Sequence, residues 1–180
     1  MIVDVHTHVF RPGTDFGPRL FADLKRCGVD PVSWGDVCAR HLETTRAADV
    51  AIVFGIQAAT TGWHVPNDYV AAHIQRAPER LVFFASIDPS QPGFEEELER
   101  CHRDLHCQGI RVAPIYQGVH PLDPLYRHIY AYCQKHGLPL LVHMATTFSG
   151  GVPLEYARPA HMRKHSVEVA PRRGIQQRIA

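Results

Sequence analysis

Apolar residues fall along this chain in two alternating patterns. Short continuous runs occur at Val50 to Ile56 (VAIVFGI), Leu81 to Ile87 (LVFFASI), Gly109 to Ala113 (GIRVA) and Pro139 to His143 (PLLVH). Such runs suit parallel strands covered on both faces. A further short strand is predicted at Ile2 to His6. Between the runs, apolar residues return every three or four positions. Phe94, Leu98, Cys101 and Leu105 form one helical stripe, and Leu125, Ile129, Tyr132 and Cys133 form another. The second helix is well punctuated: Asp123 suits the cap, Pro124 the first turn, Gly137 the left-handed exit, and Pro139 stops continuation. Earlier helices are expected from about Pro66 to Ala77, with Val70 and Ile74 inward, and from Trp34 to about Ala48, where Ser33-x-x-Asp36 is a weak start. The Gly/Pro-rich stretch from Arg11 to Pro18 reads as a loop.

From the second strand onward the strands begin roughly 30 residues apart, one β/α step. Strand alternating with helix at that spacing implies a parallel sheet. Two architectures satisfy it. One is an open, doubly wound sheet of five strands. The other is part of a (β/α)8 barrel, which complete needs about 250 residues.

Composition narrows the function classes. The chain has 180 residues and formal net charge +1, which argues against nucleic acid or a polybasic membrane surface as partner. No apolar run approaches the ~20 residues of a membrane span, and Met1 to His6 hold no Lys or Arg of a secretory leader. The five cysteines form no CxxC pair, which fits reduced thiols in a cytoplasmic protein.

Thirteen histidines make a His-x-His pair expected about once by chance, so position carries the information in His6-Thr7-His8. Residues two apart on a strand share a face, which aligns Asp4, His6 and His8. Both histidines sit at the C-terminal end of their strand, where barrel and open α/β sites lie. Two neutral imidazoles there are half of a Zn²⁺-type site; the alternative is a hydrogen-bonded pair in a polar turn. His143 closes a buried strand and precedes the polar, glycine-ending loop Met144 to Gly151. In a barrel, strands one and five face each other across the ring, so these three histidines would meet; in an open sheet they need not.

Six segments follow in order: the opening Ile2-Val3-Asp4-Val5-His6-Thr7-His8; Gly62-x-x-Val65-Pro66-Asn67-Asp68-Tyr69; Pro78 to Pro89; Gly109 to Gln117; Gly137 to His143; and Pro153 to Pro159. This series resembles the amidohydrolase-related family, in the branch that includes aminocarboxymuconate semialdehyde decarboxylase and similar decarboxylases and hydrolases. The resemblance implies a partial TIM (β/α)8 barrel of about five β/α units over residues 1–162. It implies His6 and His8 as strand-one metal ligands and His143 as the strand-five ligand of one divalent metal, most commonly zinc. Branches with a second metal use a modified Lys on strand four; Arg111 stands here instead, and a guanidinium is a poor ligand. The family also implies an acid/base His after strand six and an Asp ligand after strand eight, for which this chain offers no matching residues.

Residues 163–180 instead form an atypical basic tail of net charge +4, against −3 for the rest. The expectation is therefore an incomplete, weakly active or inactive metal-dependent hydrolase or decarboxylase, acting on a small carboxylated or cyclic substrate. Open sheet edges are expected to promote homo-oligomers. Phe10, Gln57, Asp88 and Tyr116, at strand ends, are candidates for substrate contact. The rivals are a non-catalytic fragment binding metal or a partner chain, and a self-contained five-stranded α/β binding module.

Overall fold

A computed structural model describes residues 1–162; the expected basic tail, 163–180, lies outside the described residues. The strands among them are β1 (Val3–His8), β2 (Val50–Phe54), β3 (Gln57–Ala58), β4 (Trp63–His64), β5 (Leu81–Ser86), β6 (Gly109–Val112) and β7 (Leu140–Val142). The helices are α1 (Pro12–Asp15), α2 (Pro18–Arg26), α3 (Val37–Thr44), α4 (Asn67–Ile74), α5 (Phe94–Arg103), α6 (Pro114–Gln117) and α7 (Pro124–His136). The main sheet has the order β1-β2-β5-β6-β7, and every neighbouring pair is parallel. This is the arc of five β/α units expected of a partial barrel. Strands β3 and β4 form a separate antiparallel hairpin.

Burial follows the apolar runs. All four residues of β6 are buried, as are five of the six in β5. The outer strands β1 and β7 are more open, and Ile2 and Val5 are exposed. Gly109 is required where β6 passes β5, because a Cβ there would collide with the Phe84 ring. The main core joins the sheet to the helix layer through Val70 and Ile74 of α4, Leu98 and Cys101 of α5, and Ile129 and Cys133 of α7. A second core gathers Phe16, Leu20, Leu24, Trp63, Ile115 and Tyr116. Its elements all follow the C-terminal ends of β1, β2 and β6, so it forms a layer over that end of the sheet.

Local chemistry sets the element boundaries. Asp123 Oδ1 accepts from the Leu125 amide at 2.9 Å, and Gly137 leaves α7 at φ 68°, both as expected. The start of α3 differs: Asp36, not Ser33, caps it by accepting from the Ala39 amide at 2.9 Å. The expected helix from Trp34 to Ala48 divides into a 3-10 turn at Pro31–Trp34, α3, and a second 3-10 turn. On α7 the buried stripe is Tyr126, Ile129, Tyr130 and Cys133, whereas Leu125 is 40% exposed. A cap-adjacent residue lies beyond the sheet's cover, so periodicity alone misassigned it. The stretch read as a loop from Arg11 to Pro18 contains α1, with α2 following; Pro12 and Pro18 each open a helix at its first turn. No helix among the described residues is long and apolar enough to cross a membrane.

Candidate metal centre

Strand alternation places His6 and His8 together. Their Nε2 atoms are 3.1 Å apart, and both rings meet the edge or face of Phe54, with centroid distances of 5.1 and 4.6 Å. Phe54 ends β2 and is fully buried, so it is a wall against which both imidazoles rest. A bulge between Asp4 and Thr7 shifts the pairing of β1 with β2, and Asp4 Oδ1 accepts from the His6 amide at 3.1 Å. That bond holds the bend that turns the two rings toward each other.

His8 is oriented further. Its Nδ1 lies 3.1 Å from the Phe54 carbonyl oxygen, which accepts only, so Nδ1 carries the proton. The lone pair is then on Nε2, facing His6. His143 is similar: its Nε2 is buried and has no hydrogen-bond partner among the described residues, and the backbone of Thr146 acts on the ring to raise its pKa, against the larger lowering by burial. A ring nitrogen committed to backbone, which orients the other nitrogen toward the site, is the usual state of a metal-binding histidine.

Arg111 ties the three together. Its side chain is 1% exposed, and its guanidinium lies 5.5 Å from the Phe54 ring centroid, so from β6 it reaches across the face toward β2 and β1. Its Nη1 has no hydrogen-bond partner among the described residues. Burial lowers its pKa to about 10. Burial, and then the Arg111 charge, push His8 down to about 3 and His143 to about 4, and lower His6. All three imidazoles are therefore neutral at pH 7, the form in which they donate to a metal.

The three rings are not drawn equally close. Among the described residues, the group whose ligand atoms all lie within 4.8 Å of one another is His120, Glu155 and His161. His6 and His8 form the tight pair; His143 stands further off, beside Tyr116 at a ring distance of 5.0 Å. The donor set nonetheless fits a divalent ion: the bare Nε2 of His8, the His6 Nε2 that faces it and whose proton can shift to Nδ1, and one orphaned buried Nε2, all on neutral rings.

The other candidates divide. Tyr116 lines the His143 side and is buried. Phe10 packs among Phe16, Trp34 and Trp63, with ring distances of 5.2 to 6.2 Å, and borders a cavity of about 480 Å³ that also touches Thr7, His8 and His41. Gln57 is half-buried in the hairpin, its amide held by Ser86 Oγ at 2.9 Å. Asp88 is buried with both oxygens engaged, by the amides of Ala59 and Ser90 and the Ser90 hydroxyl. Its carboxylate organises turns rather than facing the histidines. Phe54 was missed by the sequence reading, although its place at the end of β2 is the signal that singled out His8 and His143.

Several solved structures share this fold. An uncharacterized TIM-barrel protein from Bordetella bronchiseptica superposes with TM-score 0.69 at 16% identity, over 93% of this chain and 63% of that one. A 5-carboxyvanillate decarboxylase from Novosphingobium aromaticivorans, with bound manganese and 3-methoxy-4-hydroxy-5-nitrobenzoic acid, superposes with TM-score 0.62 at 18% identity, over 94% and 56%. A probable 2-pyrone-4,6-dicarboxylic acid hydrolase from Acinetobacter baumannii, with citric acid bound, gives TM-score 0.50 at 14% identity, over 79% and 49%. The chain thus spans about half to three fifths of these relatives' length. No curated protein matches the chain. A family model described as amidohydrolase matches residues 3–169, and the chain belongs to the amidohydrolase family.

Proposed function

We propose that His6, His8 and His143 hold one divalent metal, zinc by their nitrogen donor set, in a centre for hydrolysis or decarboxylation of a small carboxylated or cyclic substrate. The single observation that carries this is the convergence of neutral imidazoles: His8, held to the Phe54 carbonyl through Nδ1, turns its Nε2 to the His6 Nε2, and His143 leaves a buried Nε2 without a partner among the described residues. Such a metal would supply Lewis-acid polarisation of a substrate oxygen or of water. The chain's own residues orient that chemistry. Phe54 keeps the His6 and His8 rings in place, and Arg111 supplies a positive field that favours an anionic substrate. Tyr116 and Phe10 are proposed as apolar contacts for the substrate ring, and Gln57 as a polar one. Asp88 is proposed to act only by shaping the turn that follows β5.

The manganese decarboxylase and the probable pyrone hydrolase support the two reaction classes, and further decarboxylases share the fold. Five unpaired cysteines, four of them buried, support a reducing, cytoplasmic setting. The outer strands β1 and β7 are proposed to mediate self-association, which sedimentation at several concentrations would detect.

The test is the metal content of the untagged chain beside a His6→Ala/His8→Ala variant, followed by rates on aromatic carboxylates and on lactones. Stoichiometric zinc or manganese lost in the variant supports the centre. Equal metal in both chains overturns it. Metal without any turnover would leave a binding function in place of an enzyme.

A further inference from the structure

We propose that His120, Glu155 and His161 form a second divalent-cation site that clasps the segment 153–162 to the turn after α6. One ligand atom from each lies within 4.8 Å of the other two. From that approach, small side-chain rotations reach the about 2.0–2.2 Å bonds of a zinc ion. The three residues come from two separate stretches: His120 follows the exit of α6 at Gly118, whereas Glu155 and His161 flank the end of the 3-10 turn at Leu154–Ala157. The ring of His161 stands 4.6 Å from that of His120, and the ring of Tyr156 stands 5.2 Å from His120. Aromatic packing therefore already holds the two imidazoles side by side.

The hydrogen bonds indicate which atoms would bind. His161 Nε2 lies 3.1 Å from the Glu155 carbonyl oxygen, which accepts its proton and leaves the lone pair on Nδ1. His120 Nδ1 accepts from the Leu122 amide at 3.1 Å, so its neutral ring carries the proton on Nε2. Binding through Nε2 moves that proton to Nδ1 and gives up the Leu122 contact; no net proton is released from this ring. Glu155 is exposed and brings the one negative charge. Two imidazoles and a carboxylate are a donor set for a borderline cation such as Zn²⁺, with a remaining position open to water.

This site is separate from the strand-end histidines, but its clasp bears on them. Tyr156 and Ala157 pack on the core that contains Tyr116, and Tyr116 contacts His143. Occupancy would stiffen the wall beside the first centre.

The experiment uses the full, untagged chain carrying His6→Ala/His8→Ala, so that the strand-end site does not contribute. Zn²⁺ uptake is measured by equilibrium dialysis, and amide hydrogen exchange is followed over residues 153–162. The proposal expects one Zn²⁺ per chain, slower exchange in that segment on Zn²⁺ addition, and loss of both effects when His120→Ala/His161→Ala is added. Glu155→Gln, on an exposed side chain that folding does not need, is expected to weaken binding by at least about tenfold. Absence of uptake in the His6→Ala/His8→Ala chain, or Zn²⁺ retained at full affinity in the Glu155→Gln variant, overturns the proposal. Neither result bears on the first centre, whose own test is metal lost with His6 and His8.

Discussion

The two faces of β1 each build a histidine pair, with similar geometry and different consequences. On one face, His6 and His8 bring their Nε2 atoms within 3.1 Å. On the other, Thr7 points to the helix layer, where His41 and His73 also approach to 3.1 Å. The proton order of the second pair is determined by the threonine. Thr7 Oγ1 donates to the Ile52 carbonyl at 2.7 Å, so it must accept from His41 Nε2 at 2.9 Å. His41 Nδ1 then accepts from His73 Nε2. Both rings are buried, at 6% and 3% exposure, and their proton chain ends on backbone. In the first pair, His8 is held by the Phe54 carbonyl through Nδ1 and turns its bare Nε2 to the His6 Nε2 at the C-terminal end of β1, within the field of Arg111. Neutral imidazoles at hydrogen-bond distance therefore do not by themselves define a metal site. What separates the two pairs is their place: the second, with His73 Nδ1 buried and without a partner among the described residues, is enclosed under the helix layer, whereas the first lies at the strand end beside Arg111.

The largest effect that would sharpen this contrast is a loss of stability in acid. Burial lowers His73 from 6.5 to about 4, and also lowers His41. The unfolded chain takes up protons near pH 6.5 while the folded chain resists, so stability is complete above pH 6.5 and declines as pH falls toward 4. For His73 alone the drop corresponds to roughly 3 kcal/mol at the acid end. Urea unfolding between pH 7 and 4 should show it, and His73→Gln, which keeps the donor to His41, should reduce the slope, His8 and His143 supplying the remainder. An unchanged slope would mean that His73 is already protonated in the fold.

Next in size, His143→Ala should weaken metal binding by about 100-fold while leaving the neutral-pH unfolding midpoint almost unchanged. His41→Gln should do the reverse, shifting stability and sparing the metal. If His41→Gln removed metal as effectively as His143→Ala, the distinction between the two faces of β1 would fail. The smallest effect concerns Arg111. Arg111→Met keeps most of the volume and removes a buried positive charge, so metal affinity should rise by about tenfold in a chelator competition. The His6 and His143 titrations, followed by NMR, should move upward at the same time, because the Arg111 charge lowers both.

Much of this arrangement was legible in the chain. The parallel strands stand where continuous apolar runs occur, because a strand covered on both faces needs no polar residue. The pairing of His6 with His8 follows from the two-residue period of a strand. Less legible were α2 and the β3–β4 hairpin. Their apolar residues Leu20, Leu24 and Trp63 are buried against Phe16, Ile115 and Tyr116, contacts that join distant parts of the chain. Asp88 illustrates the same difficulty at a site: its place at a strand end pointed to substrate, yet its oxygens are occupied by Ala59 and Ser90.

The amino-acid order by itself determined which residues share a face, where the five strands of the main sheet lie, and which side chains have metal chemistry available. Those properties depend on neighbours a few positions away. The tertiary structure alone decided that Arg111 projects over Phe54, that His143 keeps an unpaired buried nitrogen, and that Thr7 directs the protons of His41 and His73. Each of these requires the sheet to curve and the helices to pack, which brings residues from separate β/α units within a few ångströms. Periodicity specifies direction along one element, and only packing specifies the distance between two.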